Sequence, residues 1–413
     1  MPTTTLVIGG GAAGFFAAVH RAAAHPQERV TILERSGRVL QKVRISGGGR
    51  CNVTHACWEP RELVKFYPRG GRELLGPFHH FACGDTMAWF ADRGVDLKIE
   101  DDGRIFPVSD DSQTIVDCLQ RAAADRGVRV LTNHRVTAIA APTPGGPDAT
   151  GAAGHWTVRT SERTFTADRL IVTTGSNPAA WRMLADVGHR LVDPVPSLFA
   201  FNTKDTRLRD LAGISLPWAQ LRIRGDKLKA EGPLLITHRG LSGPAVLRLS
   251  AWGARRLAPR AYNFELAVNW TAMRPQDVGE RLGELRAGEA KRQVAARAYF
   301  DLPARLWKSL VTAAGVPADQ QWSQLSNRQR TALTEQLTDA RFRIAGKSTN
   351  KEEFTTAGGV ALDEVDFRTF GSRLHPTLSL AGEVLDIDAI TGGFNFQAAW
   401  TGGYLIGQAG AVS

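Results

Sequence analysis

The residues of this chain best suited to chemistry are glycines, and they cluster at its two ends. Residues 6–14 read LVIGGGAAG, so Gly9, Gly11 and Gly14 hold the G-x-G-x-x-G spacing. The first glycine permits a tight turn, the second lets backbone approach a pyrophosphate, and the third lets a helix close on a strand. Ala12 through Ala24 predicts that helix, with Ala12 and Ala13 in the turn whose amides face the phosphates. Glu34 ends a second strand, Arg29–Leu33, twenty residues after Gly14, where a carboxylate can accept ribose hydroxyls; Arg35 stands beside it. At the far end, residues 379–397 read SLAGEVLDIDAITGGFNFQ. Here Gly382 and Glu383 follow a short strand, and Glu383 is placed to bind a ribityl hydroxyl. Gly392 and Gly393 free backbone amides for a ring carbonyl edge, and Asn395 is a candidate cap for a closing helix over Ala398–Gly410. A nucleotide held from both ends of a chain is FAD rather than a mononucleotide.

A second glycine run lies between these motifs. Ser46, Gly47, Gly48, Gly49, Arg50, Cys51 and Asn52 combine amides free of side-chain obstruction with positive charge from Arg44 and Arg50. Such a loop suits a pyrophosphate or the polar edge of an isoalloxazine, where positive charge stabilises the anionic reduced flavin. Cys51 beside Arg50 is either a thiol of lowered pKa, able to deliver a proton opposite a hydride, or a small packing residue. His238, in His238-Arg239-Gly240-Leu241-Ser242-Gly243-Pro244, is a second acid–base candidate or a structural histidine. Thr355–Val360 (TTAGGV) is a further place for backbone to approach the ring, with Arg343, Lys347, Asn350 and Lys351 just before it.

The elements that position these residues follow from pattern. Leu6-Val7-Ile8 and Arg169–Thr173 read as buried parallel strands, the latter running into Thr174 and Gly175. Residues 36–57 read as a loop, and 60–126 as mostly helical, broken at Asp101-Asp102-Gly103. Strands are expected at Val128–Leu131 and from Val136 to Ile139, a hairpin at Trp156–Thr160 and Thr164–Thr166, and a linker or hairpin tip at 141–154. Short strands then occupy 195–270, with a helix beginning near Pro244, and 275–340 reads as helical. The domain reading is therefore a nucleotide-binding part at 1–190, an inserted β-rich part at 191–270, an inserted helical part at 271–345, and a return to the first domain at 346–413.

Composition limits the function classes. No apolar run approaches the length of a membrane span, and the N-terminus enters a strand directly with no signal-peptide pattern. Cys51, Cys57, Cys83 and Cys118 show neither C-x-x-C nor zinc spacing, so no metal is expected and a reducing, cytoplasmic setting is. The net charge of +10 is concentrated: residues 191–345 hold 24 Lys and Arg against 14 Asp and Glu, and the remainder holds 27 of each. That block points to an anionic substrate such as RNA, or reflects an arginine-rich proteome.

GGGAAG, SGGGRCNVT, DDGRIFPVS, THRGLSGP, TTAGGV and GEVLDIDAITGGFNFQ occur in that order. Together they resemble the HI0933-like bacterial flavoproteins, NAD(P)/FAD-dependent oxidoreductases akin to the fumarate-reductase-like class, over nearly the whole chain. The resemblance implies an α/β fold, with a Rossmann-type FAD-binding domain interrupted by an inserted β-barrel-like plus helical domain. It implies non-covalent FAD held by Gly9, Gly11, Gly14, Glu34, Gly47–Asn52, Gly382, Glu383, Gly392, Gly393 and Asn395. Ala12, Ala13, Arg35, Ser46, Val136, Thr174 and Gly175 complete the candidate set. Members are linked to reduction of conjugated C=C bonds, including bile-acid-type enones, to reduction of a uridine in large-subunit ribosomal RNA, and to amine oxidation. The expectation is an FAD oxidoreductase reducing an electron-poor C=C bond, uridine in ribosomal RNA being favoured over a small-molecule enone or amine. A non-enzymatic RNA- or ribosome-binding flavoprotein is the third reading. No second glycine fingerprint is present for NAD(P)H, which as donor would visit the flavin face transiently.

Overall fold

The computed structural model describes residues 3–142, 154–348 and 355–411. Residues 143–153 of the linker or hairpin tip expected at 141–154, and Asn350 and Lys351, lie outside the described residues. The chain forms two compact units, Met1–Val195 with Thr355–Ser413, and Pro196–Phe354.

The first unit is built on a seven-stranded sheet. Its order runs Val365–Asp366, Gly371–Ser372, Leu378–Leu380, Arg169–Val172, Thr4–Ile8, Arg29–Leu33, Arg129–Leu131. The last five pair in parallel and the first two form an antiparallel edge. Leu6, Val7 and Ile8 are at most 5% exposed, as a strand covered on both faces requires. The chain leaves Thr4–Ile8 to one side for Arg29–Leu33 and later returns on the other side as Arg169–Val172. This reversal creates a switch point at the carboxyl ends of the central strands, where open α/β sheets bind ligands.

Three local expectations change. Residues 36–57 are not all loop, because Gln41–Ile45 forms a short helix before the glycine run. In 60–126 the turn at Asp101-Asp102-Gly103 joins an antiparallel pair, Leu97–Ile99 with Arg104–Pro107, where helix was expected on both sides. The closing helix begins at Phe394, not Ala398, and Gly393 is its N-cap, so Asn395 lies in the first turn and does not cap it.

That closing helix, Phe394–Gln408, packs on the first helix, Ala12–Ala24, closely enough to require glycine. A Cβ on Gly403 would lie 2.9 Å from the Ala13 carbonyl oxygen, and one on Gly407 would lie 2.3 Å from the His20 Cβ. Successive contacts advance in the same direction on both helices, ending where the Arg21 guanidinium donates to the Ala409 carbonyl (2.5 Å), so the helices are parallel. Aligning Gly403 with the middle of Ala13–Ala17 puts the start of the closing helix about six residues, or ~9 Å, beyond the start of the first.

His20 lies inside this contact, 9% exposed, with Phe16, Tyr404, Trp89 and Phe81 around its ring and no hydrogen-bond partner for Nε2. Burial, helped by Arg93 and Arg126, pushes its pKa down to about 3. The depressed folded value means that the unfolded chain binds the extra proton first. Stability is complete above the unfolded pKa of 6.5 and falls as pH drops from 6.5 towards 3, by about 1.4 kcal/mol per pH unit. His20→Phe keeps the ring and removes the titration. Urea unfolding at pH 7 and pH 5 should show the variant losing about 2 kcal/mol less than the parent over that interval. Equal losses would refute the assignment.

The second unit carries a seven-stranded sheet ordered Ala340–Ala345, Asn263–Asn269, Ser215–Ile223, Lys229–Thr237, Gly240–Ser242, Ala200–Asn202, Lys347–Ser348. Its two outermost strands are consecutive in the chain, joined at Gly346, and the Thr203 hydroxyl donates to the Arg343 carbonyl, so the sheet curls on itself like a barrel. Strand alternation is regular: in Ala340–Ala345, Ala340, Phe342 and Ile344 are buried, while Arg341, Arg343 and Ala345 are exposed. The helices Pro275–Gly288, Ala304–Ala313 and Asn327–Thr338 add Leu282, Trp307 and Leu333 to the same apolar cluster as Leu221, Leu266 and Phe342. Sheet and helices therefore share one core. Among the described residues no helix is long and apolar enough to cross a membrane.

Candidate functional site

The site is assembled at the switch point of the first unit. Gly9 has φ +109°, and a Cβ there would lie 2.6 Å from the Thr173 carbonyl oxygen. A Cβ on Gly14 would lie 2.0 Å from the Gly9 carbonyl oxygen. Only glycine at both positions brings the first helix this close to the strand end. Gly11 differs: no atom of the described residues lies within 4 Å of its would-be Cβ, so the space before it is open. Gly11 is also the N-cap, with no side-chain cap and no acidic residue in the first turn. The first-turn amides of Ala12, Ala13 and Gly14 and the helix dipole therefore face that space as an anion site.

The Glu34 carboxylate borders it. Oε2 accepts from the Gly10 amide (2.9 Å), and Oε1 accepts from the Ser36 amide (2.9 Å) and hydroxyl (2.8 Å). With two acceptor positions on each carboxylate oxygen, capacity remains for a ribose hydroxyl. Arg35 is exposed. The Asn133 and His134 amides donate to the Ser36 and Glu34 carbonyls, bringing the chain past Glu34 just before Val136 opens its strand.

On the other side of the switch point, Thr174 and Gly175 follow the strand Arg169–Val172. Among the described residues, Thr174 Oγ1 is buried and has no hydrogen-bond partner. Gly175 has φ +60°, and a Cβ there would lie 3.6 Å from Glu383 Oε2. Glu383 forms an ion pair with Lys42, and a Cβ on Gly382 would lie 3.3 Å from the Ala13 Cβ. The stretch Thr355–Val360 is buried, and the Val360 amide donates to the Val384 carbonyl (2.9 Å).

The middle glycine run meets the C-terminal one. Gly47, Gly48 and Gly49 have φ of +58°, +69° and +88°, and Cys51 shares that left-handed region at +61°. Would-be Cβ atoms on Gly48 and Gly49 meet open space, leaving that backbone accessible. With its amide oriented to satisfy both neighbours, Asn52 accepts from the Gly393 amide (3.0 Å) and donates to the Thr54 carbonyl (3.0 Å). A Cβ on Gly393 would lie 2.5 Å from the Thr54 carbonyl oxygen. Trp400 Nε1 donates to the Val53 carbonyl (2.9 Å), and the Thr54 hydroxyl donates to Gln397 Oε1 (2.6 Å). The loop at 46–54 and the start of the closing helix are thus one structure, although more than 300 residues separate them.

Two electrostatic expectations are corrected. Arg50 does not offer free charge: its guanidinium pairs with Glu100 (2.6 Å) and Asp110 (3.3 Å) and lies 3.9 Å from the Phe106 ring centroid. Cys51 is fully buried, and burial pushes its thiol up to about 12, against the first of its two readings, a thiol of lowered pKa. It is a neutral packing residue around pH 7. Arg44 is hydrogen-bonded to Gln113. Asn395 has its side chain committed to Ala389, accepting from the amide (2.9 Å) and donating to the carbonyl (3.2 Å). His238 lies in the second unit, exposed at the tip of the hairpin that pairs Thr237 with Gly240.

Sequence reasoning missed several neighbours of the glycine turn. The His55 ring stacks on Phe394 at 4.6 Å, and Phe394 on Phe66 at 4.4 Å. His55 Cδ2 is 3.4 Å from the would-be Cβ of Gly392, and burial keeps the imidazole pKa below its ordinary value, hence neutral around pH 7. Lys42 was passed over within the assumed loop. The pairing of Arg69 with Asp388 had no local signal beyond two opposite charges.

A switch-point crevice with two parallel helix N-termini, an acidic residue at the ribose position and glycine-lined amides defines a Rossmann-type FAD-binding fold. The unpartnered Thr174 hydroxyl and the open space before Gly11, Gly48 and Gly49 fit that cofactor. The chain belongs to the HI0933-like family: residues 3–409 match the model for the HI0933-like protein Rossmann domain. It is similar to the 3-dehydro-bile acid delta(4,6)-reductase of Clostridium scindens, 27% identical over 419 residues, covering 98% of both chains. It is also similar to the ribosomal RNA dihydrouridine synthase of Escherichia coli, 28% identical over 414 residues, covering 98% of this chain and 96% of that one. Among solved structures, the 3-ketosteroid-delta4-(5alpha)-dehydrogenase of Rhodococcus jostii RHA1 shares the fold, with a TM-score of 0.50 and 14% identity over 100% of this chain and 97% of that one.

Thr174 provides a local test of cofactor fit. Thr174→Val removes a hydroxyl that has no protein partner. Stability of the flavin-free protein should stay within about 0.5 kcal/mol. FAD affinity should fall several-fold, the equivalent of about 1 kcal/mol for one lost hydrogen bond. Unchanged affinity by flavin fluorescence titration would remove Thr174 from the site.

Proposed function

We propose that this FAD-dependent oxidoreductase reduces an electron-poor C=C bond, with a uridine of ribosomal RNA, converted to dihydrouridine, as the favoured substrate. The two curated relatives are named for one shared chemistry, saturation of a conjugated C=C bond, and each aligns over nearly the full chain. The observation that carries RNA over a small enone is charge, because the whole +10 excess lies in 191–345. FAD, when bound, would supply the hydride, with NAD(P)H as the proposed electron donor. The protein's own residues bind and orient. Amides at 12–14 hold the pyrophosphate, Glu34 and Glu383 hold ribose and ribityl hydroxyls, and the Gly392 amide, beside a Gly393 amide that Asn52 already holds, faces the ring edge where negative charge develops. The His55–Phe394–Phe66 stack packs against that turn.

Single turnover tests the proposal. Photoreduced protein is mixed with ribosomal RNA fragments and nucleosides are quantified by mass spectrometry. Dihydrouridine is expected at up to one per flavin, with turnover suppressed steeply by salt. Unchanged uridine with every fragment, alongside salt-insensitive reduction of a bile-acid-type enone, would transfer the assignment to the small-molecule reading.

A further inference from the structure

The outer face of the second unit's sheet carries a graded surface. Arg341, Ala267, Arg222 and Lys229 stand opposite one another on four adjacent strands, a row about 14 Å long. One pleat further along, Arg343 faces Glu265, and Arg224 lies within 3.4 Å of that carboxylate. Asp339 sits among the guanidiniums of Arg222 (2.9 Å), Arg341 (3.1 Å) and Arg224 (3.6 Å). Five cationic groups therefore meet three acidic ones, Glu265, Asp339 and the exposed Glu231. Arg222 and Arg341 are more than half exposed, so these ion pairs are weak and exchange readily for phosphate. Along the same strand as Arg222, four residues or ~13 Å away, Trp218 is 41% exposed. The register shift between Leu216 and Ala219 turns both Pro217 and Trp218 outward, beside exposed Pro233 and Leu235 on the next strand. An indole held outward by a bulge and flanked by prolines is a stacking platform rather than a core residue that failed to bury.

We infer that this face is the RNA-docking surface of the protein, with Arg222, Arg341 and Arg343 neutralising backbone phosphates and Trp218 stacking an unpaired base. The inference rests on the RNA reading above and adds the location and mode of contact. A groove of positive charge beside an exposed aromatic is how sequence-tolerant single-strand binders hold nucleic acid, and it suits an enzyme whose target base must leave its helix to reach a flavin.

Fluorescence anisotropy of the holoprotein with a labelled single-stranded ribosomal RNA fragment, across a salt series, tests it. Arg222→Gln/Arg341→Gln/Arg343→Gln should weaken binding at least tenfold at 0.1 M salt and flatten the log–log salt slope by about 2–3. Trp218→Ala should weaken binding about 5- to 100-fold without changing that slope. A control with the same charge change elsewhere in the unit, Arg281→Gln/Lys308→Gln/Arg328→Gln, should retain most of the affinity. Unfolding midpoints and flavin content, equal in all proteins, exclude a folding defect, and the single tryptophan variant provides the reading if the triple variant fails to fold. Wild-type-like binding by the sheet variants, with dihydrouridine still formed, would overturn the docking surface and leave the RNA reading intact. RNA bound through the sheet with no dihydrouridine formed would do the reverse. No RNA bound by the parent protein, or a dimer dissolved by the sheet substitutions and indifferent to RNA, would overturn the docking surface outright.

Discussion

Gly14→Ala is expected to purify without flavin. The added methyl would sit 2.0 Å from the Gly9 carbonyl oxygen and 2.7 Å from Thr173 Oγ1, both held in place, since that hydroxyl itself donates to the Ile8 and Gly9 carbonyls. Backbone cannot yield as a flexible side chain does, so the first helix must move away from the strand. Forced overpacking of this kind costs about 1–3 kcal/mol in stability. The larger effect is on the cofactor. Displacing the helix start misdirects its amides, and two charge-assisted hydrogen bonds to phosphate, at about 1.5–3 kcal/mol each, amount to at least about a hundredfold in affinity. Gly11→Ala makes the contrast, because no protein atom lies within 4 Å of its would-be Cβ. Its methyl would leave the flavin-free protein as stable as the parent and would meet only the cofactor. Flavin content and unfolding midpoints of the two variants separate these effects; a yellow Gly14→Ala protein of parental affinity would contradict the role given to that contact.

Asp388→Ala is expected to cost about 3–5 kcal/mol of stability, the usual result of breaking a buried ion pair from one side. The Asp388 side chain is fully buried and its Arg69 partner is 10% exposed. The same two residues form a backbone bridge, and Ala389, the next residue, is tied to Asn395. The pair therefore fixes the segment that leads into Gly392 and Gly393, and truncation should also weaken FAD. Asp388→Asn keeps the shape and part of the hydrogen bonding and should lose less. Urea unfolding of both variants decides the point, and a loss below about 1 kcal/mol for Asp388→Ala would show that the segment is held by other means.

Legibility in the sequence followed the range of the interaction. The first strand, helix and second strand were readable almost to the residue, because glycine spacing, alanine content and an apolar run are all local signals. Pro244 marked the start of the helix Pro244–Leu257 for the same reason. The antiparallel pair at Leu97–Ile99 and Arg104–Pro107 was hidden because three or four residues carry too little period-two signal against helical surroundings. The closing helix was placed four residues late because Phe394, Asn395 and Phe396 are unremarkable helix formers, and only Gly393, held by Asn52 and Thr54, marks the true start. Cys51 and Arg50 show the limit for electrostatics. Their neighbours in sequence suggested a lowered thiol and a free cation, but burial and the distant Glu100 and Asp110 decide both.

The backbone at 9–14, 47–52 and 392–393 is held to surround one FAD. Titration of flavin-free protein with FAD, followed by flavin fluorescence and absorbance, tests it most directly. Saturation is expected at one FAD per chain, with a structured flavin spectrum that bleaches on anaerobic addition of NADH or NADPH. Protein that takes up no flavin, or binds FMN as tightly as FAD with no requirement for the adenosine half, would contradict it.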